Sequence, residues 1–570
     1  MDLDTSSRRY YDARYGELKA ERQSFIPHWR DLSDHILTRQ SRFLATDRNR
    51  GDRRNNKIID NTATLALRTL ASGMLTGLAS PSRPWLALRT PDPDLNEYQP
   101  VKLWLDLTRN RMLEVFLRSN LYTTLPLSFA DLGCYGTSAF AALPDYESLL
   151  RFYHFPIGSY SIANSDRGTV DTCYREFMMT VRQLLMMFRE GAVSKAVNNL
   201  ANAKSLESWV NVTHAVEPNP DFNPQRAQWS NYKAFRSVYY EPGSNEEKML
   251  RVAGFDRMPV LASRWKITGE DVYGNSPGME ILGDVRALQL QQKRKQQLID
   301  KGVNPAMSGP SSMREGRSSV LPGDVTWYDQ PSGGQKFEPV YRPEPAYYQW
   351  LLQDIAETQG RIKRGLFEDL FLLLANDTRS NVTAREVAER HEEKLLLLGP
   401  VVEQQNDDLF DPLVDIAFDA MLNARILPKP PPELQGQSIN VEYISIMAQA
   451  MKLVGLPSIE RTIGFIAQLG QAKPEAFDWI NVRETISAYR SMSGAPPKII
   501  NDAKVVEAIA AGRAQQQKMM QLAAAAKPAA DAAGAVKDLA DANTSGNNAL
   551  TQIAARLQGR PPPAGQAKAA

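Results

Sequence analysis

Tyr273-Gly274-Asn275-Ser276-Pro277-Gly278 opens a run to Pro432 that reads as a helix going out, a loop-and-strand excursion, a helix coming back, a polar loop and a long interrupted helix. Ser276 is placed to cap the outgoing helix, and Pro277 suits its first turn, where a missing N–H costs nothing. In its body, residues 279–301, Ile281, Leu282, Val285, Leu288, Leu290, Leu298 and Ile299 fall mostly at helical spacing and predict one apolar face. Gln289, Gln291, Gln292, Lys293, Arg294, Lys295, Gln296 and Gln297 predict a polar one, and residues 284–301 carry five basic side chains against two acidic. Gly302 and Pro305 are expected to stop the helix.

Residues 308–345 are rich in Gly, Pro and Ser, with a short strand expected at Val325-Thr326-Trp327-Tyr328. A loop this long inside a compact domain is unusual, so it reads as a small module of its own. The returning helix is expected over 346–375, bent at Gly360 and Gly365, followed by a polar loop at 376–381. Thr383-Ala384-Arg385-Glu386 matches a capping box, in which each end of the pair satisfies a backbone N–H of the other. The long helix carries Val387, Leu395, Leu398, Val402, Leu409, Leu413 and Ile416, with breaks expected at Gly399-Pro400 and Pro412 and an end at Pro428.

On the N-terminal side, residues 8–37 read as one amphipathic helix with Tyr15, Leu18, Phe25, Trp29 and Leu32 inward. The basic loop at 48–57 reads first as solvated, and only second as a phosphate patch. Residues 61–78 are a helix whose Ala71-Ser72-Gly73 is expected to let another backbone approach, and 85–88 a strand. Helices at 100–118 and 122–132 follow, then short alternating runs at 139–143, 149–155, 160–162 and 173–179. Helices at 181–189 and 193–200 precede strands at 209–216, 233–240, 250–255 and 260–266. The expected fold class is therefore α+β, mostly α-helical. After Pro432, helices are expected at 441–454, 459–469, 482–490 and 502–526, and complexity falls beyond Lys527.

At 570 residues several packed lobes are expected. The net charge of +2 gives no global pull toward nucleic acid, so any DNA contact must come from local charge or from many copies acting together. Cys134 and Cys173 are the only cysteines, which excludes a disulfide framework. The five histidines form no metal-ligand pairing, and neither a phosphate-binding Gly-rich loop nor a Gly-x-Ser-x-Gly elbow occurs. Cys134 has no basic sequence neighbour and reads as a buried structural thiol. Asp407, Asp408 and Asp411, like Glu389, Glu392 and Glu393, read as a hydrophilic helix face in preference to a nuclease metal site. No catalytic residue, metal or cofactor is expected.

Tyr273-Gly274-Asn275-Ser276-Pro277, Asn381-Val382-Thr383-Ala384-Arg385-Glu386-Val387, Leu398-Gly399-Pro400-Val401 and Leu427-Pro428-Lys429-Pro430-Pro431-Pro432 occur in this order. Upstream lie Ile58-Ile59-Asp60-Asn61-Thr62-Ala63, Leu70-Ala71-Ser72-Gly73-Met74, Pro81-Ser82-Arg83-Pro84-Trp85, Asn120-Leu121-Tyr122 and Asp131-Leu132-Gly133-Cys134-Tyr135-Gly136-Thr137. In order and spacing the series resembles the head-to-tail connecting (portal) proteins of short-tailed bacteriophages, over roughly residues 8–521.

The resemblance implies a homo-oligomeric ring, a dodecamer, at one capsid vertex, with double-stranded DNA passing through its axis without sequence readout. It implies a wing (1–277), first stem helix (278–302), clip (303–345), second stem helix (346–375), tunnel loop (376–382), long wing helix (383–432), crown (433–500) and a C-terminal barrel and tail (501–570). Terminase and then a tail adaptor would dock at the clip, with Arg314, Arg317, Trp327, Tyr328 and Lys336 as candidates. Major capsid and scaffolding proteins are further implied partners; no membrane is. Candidate channel residues are Lys293, Arg294, Lys295, Lys363, Arg364, Asn376, Asp377 and Arg379, since a ring repeats each cation around the duplex. The cluster at Lys293 stands open between the channel, the capsid side and ion pairs between subunits. Another virion structural protein, or a metal-dependent DNA-processing enzyme, are the competing classes.

Overall fold

The computed structural model describes residues 7–308 apart from 48–50, 93–94, 97, 189 and 245–246, then 338–339, 344–375, 397–444 apart from 435, 456–486 apart from 483, 506 and 509–518. The chain divides into two compact units, Met1–Asn481 and Val482–Ala570. In the second, residues 509–518 are helical.

The first unit begins with α1 (Arg8–Arg22) and α2 (Ile26–His35), two helices where the sequence predicts one. Pro27 explains the break: it lacks an N–H and its ring would clash with the carbonyl four residues back. Next come α3 (Thr62–Leu78), β1 (Leu86–Arg89), α4 (Gln99–Arg118) and α5 (Leu121–Tyr135). A β-rich segment follows with β2 (Thr137–Asp145), β3 (Leu149–Phe155), β4 (Tyr160–Asn164) and β5 (Val170–Thr180). Short helices α6 (Val181–Met187) and α7 (Lys195–Asn202) precede β6 (Trp209–Pro218), β7 (Phe235–Tyr240), β8 (Met249–Phe255) and β9 (Val260–Arg264). Then come α8 (Pro277–Val303), the two-residue strands β10 (Met307–Ser308) and β11 (Glu338–Pro339), α9 (Pro345–Gly365) and α10 (Glu368–Ala375). A helical stretch at 397–405 runs through a wider turn at Asn406–Phe410 into α11 (Asp411–Asn423), followed by β12 (Asn440–Tyr443) and α12 (Leu456–Ala472).

β4 to β8 form an antiparallel meander in chain order. Alternation along β6 sends Thr213 and Ala215 to one face and Val212 and His214 to the other. On the first face Tyr11, Tyr15 and Leu18 of α1 pack on Tyr174, Val238 and Tyr240. On the second, α6 and α7 cover Val212 and Tyr239 with Val181, Leu184 and Val197. His214 stacks on Tyr239 with ring centroids 3.9 Å apart, and burial pushes its pKa down to about 3, so it is a neutral core residue. A second sheet has the order β3-β2-β9 and packs in the main core with α2 to α5, the first turns of α8, and α11.

Three local expectations fail. Residues 441–443 are strand, because β12 pairs antiparallel with β1 and stacks Tyr443 on Trp85. That long-range pairing outweighs the local helical pattern. The helix at 397–405 runs unbroken through Gly399-Pro400, whereas α8 ends at Val303, between Gly302 and Pro305 as expected. The returning helix breaks after Gly365, with Phe367 at φ +56°. The expected strand at 325–328 and capping box at 383–386 lie outside the described residues.

Candidate functional site

α8 and α9 run antiparallel, and the two sequence segments that flank the start of α8 interlock with the end of α5. Ser276 is the N-cap: its Oγ accepts from the Met279 N–H (3.0 Å) and donates to the Cys134 carbonyl (2.7 Å). The Gly274 N–H donates to Thr137 Oγ1 (2.9 Å), and the Trp265 N–H to the Gly136 carbonyl (2.9 Å). Gly136 closes α5 at φ +79°, and a Cβ there would overlap the Gly274 carbonyl. A Cβ at Gly278 would sit 2.7 Å from the Cys134 carbonyl. The segments 133–137 and 273–278 are therefore two halves of one backbone joint. Cys134 itself is fully buried, and burial pushes its thiol pKa well up, as expected of a structural thiol.

A second joint is built on Asp60. Its Oδ1 accepts from the Thr62 N–H and Oγ1 (2.8 and 2.5 Å), and its Oδ2 from Gln292 of α8 and Gln359 of α9, both at 2.8 Å. Gln289 completes it: Oε1 accepts from the Ile59 and Asp60 N–H groups (2.6 and 2.8 Å), while Nε2 donates to the Asp60 carbonyl (2.9 Å). Gln289 is buried, not on an outer polar face as its type suggests. The signal was present: residues 282, 285, 289 and 292 share one helical stripe, so polar side chains there required a partner.

Partial burial raises the Asp60 pKa, but the hydrogen bonds from Thr62, Gln359 and Gln292 outweigh it, and the net shift is below the ordinary 3.8. A carboxylate with a depressed folded-state pKa stabilises the fold above its unfolded value and loses that contribution as pH falls through the folded one. Asp60→Asn should therefore lower stability by about 1–2 kcal/mol at neutral pH. Thermal melts at neutral pH and below 3.8 should show the variant's deficit shrinking in acid.

Along the pair, Arg361 donates to Asp284 Oδ1 (3.1 and 3.2 Å), Gln291 to Asp354 Oδ2 (2.6 Å), and Tyr348 OH to the Leu298 carbonyl (3.0 Å). Three rungs fix which residues of α8 and α9 lie level. α8 is buried only as far as Gln289; no residue over 290–303 is buried, and none over 346–354 on α9. Leu290, Ile299, Val303, Tyr347, Trp350 and Leu352 stand exposed there.

Of the candidate channel cations, Lys293 and Arg294 are exposed and Lys295 is half-buried. Three consecutive helical residues fan through about 200° at 3.6 residues per turn, so they do not share one face. Among the described residues no carboxylate lies within ion-pair distance of any of the three. Lys363 is 3.7 Å from Glu368, and Arg364 Nε donates to the Gly360 carbonyl (3.3 Å). Asn376, Asp377 and Arg379, and the candidate docking residues Arg314, Arg317, Trp327, Tyr328 and Lys336, lie outside the described residues.

The break at 365–367 redirects the chain so that α10 packs on α3. A side chain at Gly365 would overlap Ile281, and one at Gly73 would overlap the Phe371 ring. The backbone approach expected at Gly73 is not what occurs: the Phe371 ring, a side chain, fills the space there. Beyond it, Asp408 is not part of a hydrophilic helix face. It is 5% exposed and pairs with Arg264, itself 1% exposed, through Nε–Oδ2 and Nη2–Oδ1 contacts of 3.0 Å each. Arg264 also donates to Asn164 Oδ1 and the Gly168 carbonyl, while Gln405 Nε2 donates to the Arg264 carbonyl (2.8 Å). Asp411 accepts from Tyr443 OH. Glu389, Glu392 and Glu393 lie outside the described residues. Among the described residues no helix is long and apolar enough to cross a membrane.

The sequence model of the family described as bacteriophage head to tail connecting protein matches residues 8–500. The chain is 48% identical over 539 residues to the portal protein of Salmonella phage epsilon15, covering 94% of this chain and 96% of the relative. It is 40% identical over 558 residues to a probable portal protein of Bordetella phage BPP-1, covering 98% and 99%. A solved chain titled as the virion of a native gene transfer agent particle overlaps at a TM-score of 0.30 and 13% identity, over 75% of this chain and 94% of that one, which is too slight a likeness to argue from. On the family match and the near-full-length identities, this chain belongs to the bacteriophage head to tail connecting proteins.

Proposed function

We propose that this chain is a virion portal protein, a structural subunit at the head–tail junction, and that copies of it close a ring through whose axis double-stranded DNA is packaged and ejected. The observation that carries the ring is the outer half of the α8–α9 pair. Beyond Gln292, among the described residues, the outer turns of the two helices carry no buried side chain, and apolar and aromatic side chains stay uncovered. A heterologous contact repeated around a closed axis buries such surface without a second protein.

In this reading Lys363 and Arg364, at the end of α9, and Arg379, Asn376 and Asp377 beyond it, face the duplex. A ring multiplies each cation, and phosphate contact without base readout lets DNA slide. The clip, residues 303–345, holds the docking surface for the packaging motor and later the tail adaptor, with Arg314, Arg317, Trp327, Tyr328 and Lys336 as its contacts. Arg379→Ala should leave assembly intact and lower the yield of DNA-filled particles by roughly tenfold. Quantifying packaged DNA after complementation of a phage lacking this gene checks it; wild-type packaging and retention would remove Arg379 from the channel.

A further inference from the structure

Where α1 crosses the first face of the meander, the packing leaves a cavity of about 550 Å³. That is within the ~300–1,000 Å³ usual for small-ligand sites. α1 contributes Tyr10, Arg14 and Glu17, the β4–β5 hairpin Asn164 and Asp171, and the end of β6 Glu217. One arginine stands against three carboxylates.

Glu217 is only 6% exposed, and strand alternation turns it toward α1 with Thr213 and Ala215. Its Oε2 accepts from Tyr174 OH (2.8 Å), and Tyr10 is its other hydroxyl neighbour; both are neutral donors. Among the described residues no cation lies within ion-pair distance of Glu217 or Asp171. Arg14 pairs with Glu17 (3.2 Å), and Arg236, across the ladder from Glu217, with Asp221 (3.7 Å). Burial raises the pKa of Glu217 and of Asp171 above the ordinary carboxylate values. A carboxylate held away from water without a counter-ion is costly, and a cation entering the cavity would remove that cost.

The arrangement narrows the cation. Among the described residues no three carboxylate, histidine or cysteine groups converge as a metal ion requires. The carboxylates are set apart, from buried Glu217 to Glu17, whose side chain is 71% exposed. Ala13, Ala163 and Pro218 supply apolar wall. Separated anions with apolar wall suit ammonium groups carried on an alkyl chain.

We propose that this cavity is a binding site for primary alkylammonium cations, with Glu217 and Asp171 taking the ammonium group. A free alkyl diamine offers that chemistry, its second ammonium reaching Glu17, and so does a lysine side chain of a second copy of this chain. Either occupant ties α1 to the meander. The site does not depend on the ring.

Calorimetric titration of the full chain with putrescine is the first arm of the test. One saturable site per chain is expected, weakened about tenfold by Glu217→Gln and, separately, by Asp171→Asn. The glutamine keeps the shape and removes the charge; the asparagine variant, at a half-buried position, serves if the first does not fold. The second arm treats the chain with a carbodiimide, which joins a carboxylate to an amine in contact, and maps the peptides of the covalent dimer. A Glu217 or Asp171 crosslink to a lysine of the second copy, without putrescine binding, assigns the site to that lysine. Neither saturable binding nor such a crosslink would overturn the proposal. So would putrescine binding that both variants retain, or that magnesium chloride reproduces at equal ionic strength.

Discussion

Asp408→Ala is expected to destabilise the first unit by about 3–5 kcal/mol, because it strands the Arg264 guanidinium in the interior with its two carboxylate bonds gone. Two charges have been taken out of water here. Their desolvation is offset only while both remain and the other Arg264 N–H groups keep Asn164 and the Gly168 carbonyl. Arg264→Met should cost a similar amount by leaving the carboxylate unpaired. Combining Arg264→Met with Asp408→Leu should recover most of the loss, since apolar replacements of similar volume demand no compensation. Thermal unfolding of the three variants measures this. Equal deficits in single and double variants would mean the pair contributes packing and not charge balance.

Gly136→Val should have a still larger effect. The position combines a left-handed backbone, which costs a side-chain-bearing residue about 1–2 kcal/mol, with a carbonyl that the new Cβ would overlap. The obstructing atom belongs to the Gly274 backbone, which is held by Thr137 and by the cap of α8, so it cannot swing aside as a flexible side chain would. A loss above about 4 kcal/mol is expected, read as disappearance of soluble folded protein. Gly283→Ala is the matched control. That glycine lies inside α8 with open space where the Cβ would go, and the change should stabilise by about 0.5–1 kcal/mol. A folded Gly136→Val chain with a wild-type melting point would show that the joint is not where the account places it.

α8 was legible because its start signals are local: Ser276 caps, Pro277 begins, and apolar residues recur at helical spacing. The meander was legible from alternation and turn residues. What sequence left hidden was set by partners far along the chain. Gln289 and Gln292 look like surface residues until Asp60 is placed beside them, more than two hundred positions away. Asp408 counts as one of several helix carboxylates until Arg264 arrives from β9. The strand at β12 needed β1, and the break after Gly365 needed Ile281 and the socket at Gly73. The short motifs in 133–137 and 273–278 were visible as letters, but their reason, two glycines letting backbones meet, is three-dimensional.

The helix pair of each copy is held to its own body at Asp60 and Gly136, and its outer half is left for neighbours to cover. Negative-stain electron microscopy of the purified full-length chain tests that division most directly. Particles with a central hole and rotational symmetry are the predicted result. A uniform population of monomers at the same concentration, with Trp350 buried as judged by its fluorescence, would contradict it.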